Sequence, residues 1–132
     1  KALIDQGVNS VMTAHIFLRK IDDTKIATLS KKIVTELLRQ TLGFDGIVVT
    51  DALIMGAISN RYGAGEAAVM AFEAGADLIL MPQNPFEAID AIADSIITGK
   101  IPLNRLEESL KRKNREISNL IATDYAKENN IL

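Results

Sequence analysis

Gly43-Phe44-Asp45-Gly46-Ile47-Val48-Val49-Thr50-Asp51 is the stretch on which the fold turns. Its centre, Ile47-Val48-Val49, is a continuous apolar run, and Leu78-Ile79-Leu80-Met81 is another. Strands buried on both faces read this way, and they belong to parallel sheets covered by helices, whereas a half-exposed strand alternates. The same plan recurs along the chain. A glycine closes a helix, a short β-rich run follows, and a polar residue stands at its end: Gly7 to His15, Gly43 to Asp51 and Gly75 to Gln83. Each polar residue lies eight positions after its glycine, and successive glycines are 36 and 32 residues apart. A repeat of that length is one supersecondary unit, here an α/β unit.

The intervening segments carry a helical period. Ser30 or Thr28 caps a helix whose apolar positions are Ile33, Val34, Leu37 and Leu38, with Gly43 as its left-handed stop. The next helix starts near Gly65 and ends at Gly75. Asn84 is a good N-cap, Pro85 suits the first helical position, and Glu87 completes a capping box. The spacing of Ile89, Ile92, Ala93, Ile96 and Ile97 predicts the buried stripe of that helix, and Gly99 ends it. A last helix follows Pro102 with Leu106, Leu110, Ile117, Leu120 and Ile121 as its apolar positions, interrupted from Lys111 to Arg115 by a face expected to be solvated. The order β-α-β-α-β-α-α, with right-handed crossovers, is an α/β fold whose ligands gather at the carboxyl ends of the strands. His15, Asp51 and Gln83 stand there.

Composition narrows the function. The 132 residues are 48% hydrophobic and 24% charged, which supports a folded core. Fifteen Lys and Arg against seventeen Asp and Glu give a net charge of −2, too balanced for the basic field that nucleic acid or an anionic membrane requires. Zero cysteines exclude disulfides, iron–sulfur clusters, thiolate zinc sites and a cysteine nucleophile, and one histidine excludes a multi-histidine metal site. No apolar run approaches the roughly 18 residues of a membrane span.

Asp51 is the sharpest chemical candidate, because a carboxylate on a rigid strand end is both fixed and open to ligand, as a nucleophile or general base must be. The competing reading is an Asp that caps a turn. The stretch from Leu37 through Gly43-Phe44-Asp45-Gly46-Ile47-Val48-Val49-Thr50-Asp51-Ala52 to Ile58 resembles the nucleophile signature of family 3 glycoside hydrolases, and more narrowly their β-N-acetylhexosaminidase branch of the peptidoglycan-recycling type. Val11-Met12-Thr13-Ala14-His15-Ile16 resembles the preceding strand motif of that branch, Ala74 to Pro82 its last strand, and Gly99 to Arg112 its closing helix.

The resemblance implies the C-terminal three β/α units of a TIM-like (β/α)8 barrel with parallel strands, over residues 1–112. Residues 113–132 would be a helical extension and tail, since Lys113-Asn114 departs from the apolar continuation usual in the family. It also implies a retaining glycosidase without a cofactor, acting on a terminal N-acetyl-β-D-glucosaminide through a covalent intermediate on Asp51. His15, and with it Met55, would line the sugar pocket; the competing reading of His15 is a strand-end histidine satisfied structurally. The family's proton-transferring His–Asp pair has no counterpart here and would lie upstream of Lys1. The chain is therefore expected to need the other part of the barrel and to be inactive alone. Its compartment is left open. Family 3 β-glucosidases tend to carry an aromatic residue after the nucleophile, where this chain has Ala52. A non-catalytic sugar-binding remnant is a further alternative. A phospho-receiver domain needs an acidic pair and a lysine where Ala14-His15 and Pro82-Gln83 stand.

Weaker signals have plainer readings. Gly63-Ala64-Gly65 begins twelve residues after Asp51 and lacks the strand-to-helix turn of a phosphate loop. Arg61 and the pair Asp22-Asp23 read as solvated loop. Met12, Met55 and Met81 around the strand ends read as barrel packing rather than a ligand set. The run Lys111, Arg112, Lys113 and Arg115, offset by Glu107, Glu108 and Glu116, reads as a helix surface with i,i+4 pairs.

Overall fold

The computed structural model describes residues 1–128, with side chains through Thr123. Helix α1 (Ala2–Asp5) leads to strand β1 (Ser10–Met12), a 3-10 turn (Ala27–Leu29) and helix α2 (Lys32–Thr41). Strand β2 (Ile47–Val49), helix α3 (Gly56–Ser59) and helix α4 (Ala64–Ala74) follow, then α5 (Pro85–Ile97) and α6 (Leu103–Glu128). Strands β1 and β2 pair in parallel, Val11 opposite Val48. The α/β class and the parallel sheet are as the apolar runs predict.

The third run forms no full strand. Leu78 joins β2 through one parallel bridge to Val49, supported by the Asp77 and Leu78 N–H groups donating to the Val48 carbonyl and the Thr50 N–H donating to the Leu78 carbonyl. Leu78 is 42% exposed, whereas Val48 is fully buried, because no strand flanks the third run on its far side among the described residues.

Helix α4 explains how the layers close. Ala64, Gly65, Ala67, Ala68, Val69, Ala71, Phe72 and Ala74 are all buried, so this helix is covered nearly all round, as a core helix is. Its small side chains let α5 approach. A Cβ on Gly65 would stand 2.8 Å from the Ala91 Cβ, so the second glycine of Gly63-Ala64-Gly65 serves helix packing. Gly75 ends α4 at φ 124°, and a Cβ there would meet Val34 and Thr35 of α2 at 2.9 Å.

Two helices depart from expectation. Helix α2 is wound in π-type turns, with the Leu42 N–H donating to the Leu37 carbonyl at 2.9 Å, a bond across five residues. Helix α5 is capped by Asn84, whose side chain accepts from the Phe86 and Glu87 N–H groups, with Pro85 in the first turn. Glu87 does not complete the box. Its Oε1 accepts instead from the Gly65 N–H at 3.2 Å and so caps the neighbouring helix α4. The inner stripe of α5 is Ala88 and Ser95, buried, with Ala91, Ile92 and Ile96 half-buried against the core, while Ile89, Ala93 and Ile97 are exposed; packing on a small-residue helix turns its small face inward. No helix among the described residues is long and apolar enough to cross a membrane.

The amino ends of the strands are tied by ions. The Asp77 side chain is fully buried and meets Arg39 at 2.6 Å, Arg112 at 3.1 Å and Arg105 at 3.6 Å. Ser109 Oγ and the Val48 N–H also donate to it. Arg39 further reaches the Gly46 and Gly75 carbonyls, and Arg105 the Phe72 and Ala76 carbonyls. Burial lowers the pKa of Arg39 and Arg105, with Asp77 opposing it. The inner face of α6 is thus Arg105, Ser109 and Arg112. This corrects the solvated face expected at Arg112, whose side chain is 12% exposed. The i,i+4 pair Arg112–Glu108 is present at 3.5 Å, and Arg115 binds Asp45 outside the cluster.

Candidate active site

Asp51 follows β2 through Thr50, and the backbone on both sides of it is held. Thr50 is fully buried, and its Oγ1 accepts from the Leu80 N–H at 2.9 Å. Beyond Asp51, the Leu53 N–H donates to the Leu80 carbonyl at 2.9 Å and the Ile54 N–H to the Met81 carbonyl at 3.0 Å. Asp51 is half-buried, and its Oδ1 accepts from the Ala52 N–H at 2.7 Å. Among the described residues Oδ2 has no donor. A short side chain on such a frame keeps one oxygen available with little conformational freedom to lose.

His15 stands beside it. Its Nε2 lies 2.9 Å from the Ala52 carbonyl oxygen and its Nδ1 2.8 Å from Thr28 Oγ1, while Thr13 Oγ1 donates to Thr28 Oγ1 at 3.0 Å. A carbonyl only accepts, so Nε2 carries the proton. Nδ1 then accepts from the Thr28 hydroxyl, whose oxygen accepts from Thr13. One neutral tautomer satisfies the whole chain, and both ring nitrogens are engaged by protein.

The other expected residues are less engaged. Met55 precedes α3 and is 46% exposed; Met12 and Met81 are 56% and 58% exposed. These side chains ring the carboxyl ends without being packed, since little among the described residues lies over that face. Gln83 is exposed. Arg61 is exposed and lies 5.6 Å from the Phe17 ring centroid.

Sequence reasoning missed three supports. Thr28, weighed only as a helix cap, is fully buried in the 3-10 turn and holds His15; Ser30 takes the capping role, accepting from the Ile33 N–H. Asp22, expected in solvent, is 4% exposed. Its Oδ2 accepts from Ser30 Oγ at 2.6 Å, and its Oδ1 from Thr24 Oγ1 at 2.6 Å and from the Thr24 and Lys25 N–H groups. These donors, Ser30 foremost, hold the carboxyl far below the usual carboxylate range. The spelling Asp22-Asp23-Thr24 is that of an Asx turn, which was the available signal. Met81 adopts φ 43°, a left-handed conformation costing about 1–2 kcal/mol for a residue with a Cβ, and no sequence signal marks it.

Known proteins resemble the chain over most of its length. Beta-hexosaminidase A of Pseudoalteromonas piscicida is 36% identical, over 77% of this chain and 20% of its own. A beta-hexosaminidase of Chromobacterium violaceum is 34% identical, over 94% of this chain and 35% of its own. Among solved structures, a glycoside hydrolase family 3 beta-N-acetylglucosaminidase from a Paenibacillus species is 45% identical with a TM-score of 0.79, over 83% of this chain and 22% of its own. The chain thus spans a fifth to about a third of the length of these relatives. Residues 1–115 match the model of the glycosyl hydrolase family 3 N-terminal domain, and the chain belongs to that family.

Proposed function

We propose that the chain is the nucleophile-bearing part of a retaining glycosidase that releases terminal N-acetyl-β-D-glucosamine from peptidoglycan-derived or chitooligosaccharide substrates. The observation that carries this reading is Asp51 itself: half-buried at the carboxyl end of β2, with Oδ1 pinned to the Ala52 N–H and Oδ2 without a donor among the described residues. The names of the relatives supply the substrate class. In the first step a bond forms between Asp51 Oδ2 and the anomeric carbon as the glycosidic C–O bond breaks. The leaving oxygen takes its proton from an acid outside this chain, and water then hydrolyses the glycosyl ester.

The rest of a (β/α)8 barrel, of about 250 residues, would complete the site. Two features of the structure support that need. The outer edge of β1 is unpaired among the described residues, and beside it Val11, Met12, Ile33, Leu37, Leu38 and Leu42 line an apolar groove, a surface that further strand and helix would cover. Without a proton donor the 132 residues alone lack an acid contribution typically worth about 10²–10⁴ in rate.

The test is made in the complete enzyme that carries these residues. A slow N-acetylglucosaminide fluorinated at C5, which keeps the 2-acetamido group, is expected to leave one glycosyl mass on the peptide containing Asp51, and Asp51→Asn to abolish both that adduct and turnover of an aryl N-acetyl-β-D-glucosaminide. An adduct on a different carboxylate, or near-normal turnover by the variant, sinks the assignment.

A further inference from the structure

We infer that His15 is a positioning residue for Asp51 rather than a sugar ligand, and that the buried Thr28 hydroxyl is the part of the device that sets its ring. The inference rests on the reading of Asp51 as nucleophile and deepens it. Three observations lead there.

Both ring nitrogens of His15 are spent within the protein, on Thr28 Oγ1 and on the Ala52 carbonyl. A sugar hydroxyl would have to displace one of them.

The peptide that His15 grips is the one that decides where the carboxylate sits. The unit between Ala52 and Leu53 is held on both sides, its carbonyl by His15 Nε2–H and its N–H by the Leu80 carbonyl. Ala52 in turn offers its own N–H to Asp51 Oδ1. Fixing that unit holds the Ala52 Cα from its carboxyl side; with it loose, the adjoining Asp51–Ala52 peptide, whose N–H meets Oδ1, could tilt and release the carboxylate to other rotamers.

The ring is itself fixed from below. Thr28 is fully buried and receives the Thr13 hydroxyl. The turn that carries Thr28 is anchored by the Ala27 N–H on the Ile16 carbonyl and by Ser30 on the buried Asp22. Orientation therefore passes from Asp22 and Ser30 through the turn to Thr28, His15 and Ala52, ending at Asp51. No member of this line before His15 is placed to touch a substrate.

Thr28→Val tests it in the complete enzyme, since it removes the relay while keeping shape and cannot alter a sugar contact at a fully buried position. Both Thr28→Val and His15→Ala are expected to lower kcat about 10- to 100-fold, the scale of a small misplacement of a reacting group, with KM within about twofold. His15→Gln, which retains an N–H for the Ala52 carbonyl, is expected to recover most of the His15→Ala loss. A rise in KM on His15→Ala with Thr28→Val silent would make His15 a sugar ligand and overturn the inference. A fall in Tm with kcat and KM unchanged, in both variants, would make the chain of bonds merely structural and overturn it also. Asp51→Asn measured alongside separates the two readings: retained turnover there defeats the nucleophile assignment whatever His15 does, whereas its loss with unaffected His15 and Thr28 variants defeats only the positioning role.

Discussion

Asp51 and Asp77 stand at opposite ends of neighbouring strand segments and are held in opposite ways. Asp77 is fully buried, and both its oxygens are filled by three guanidinium groups, a hydroxyl and a backbone N–H. Asp51 is half-exposed with one oxygen taken and one left over. The same residue type is a structural anchor in one place and, in the function proposed above, a reagent in the other, and the difference lies in how many donors the fold spends on it. Nothing about the letter Asp distinguishes them.

Substitutions at each site put the contrast to the test. The largest effect belongs to Asp51→Asn in the complete enzyme, where kcat is expected to fall by about 10⁴-fold or more, as removal of a nucleophile does, while Tm stays within a degree or two of the parent. A large loss of stability instead would mean that Asp51 is also an anchor.

Asp77→Ala should do the reverse. It strands Arg39, Arg105 and Arg112 with their side chains 11–13% exposed, and removing one partner of a buried ion cluster costs about 3–5 kcal/mol, read by urea unfolding. Turnover per folded molecule should be unchanged.

Asp22→Asn sits between these, at the active-site end but buried. Because its folded pKa is depressed, the stability it contributes is present above the usual carboxylate range and lost as pH falls through and below it. The variant should therefore lie below the parent at neutral pH and converge with it in acid; parallel pH–stability curves would remove Asp22 from the support. Arg115→Ala is the smallest change. Its partner Asp45 is 72% exposed, so water and salt screen the pair, and about 1 kcal/mol or less is expected, vanishing at high salt.

What was legible in the sequence was local. Asn84-Pro85 states its cap within three residues, Gly75 states the end of α4, and Ile47 to Asp51 states a buried strand with a carboxylate on its end. What escaped depends on partners far along the chain. Asp77 finds Arg39, Arg105 and Arg112 at separations of 28 to 38 residues, so Arg112 looked like solvated surface and the other two gave no signal. Thr28 meets His15 across a loop, and Glu87 leaves its own helix for Gly65. The stripe of α5 misled in part, placing Ile92 and Ile96 against the core but also Ile89, Ala93 and Ile97, which are exposed, because Ala88 and Ser95 are weak hydrophobic signals, yet they are what a small-residue helix such as α4 admits. The winding of α2 has no local spelling.

Helix α6 makes one further consequence visible, in time rather than in space. Its 26 residues rise about 39 Å at 1.5 Å each, but only the first half is fastened: Arg105, Ser109 and Arg112 lock onto Asp77, while every residue from Ile117 to Thr123 is exposed. Its amides should therefore exchange with solvent deuterium on two clocks. Those near Ser109 wait for the Asp77 cluster to open, and those beyond Ile117 exchange through fraying that leaves the rest of the molecule intact.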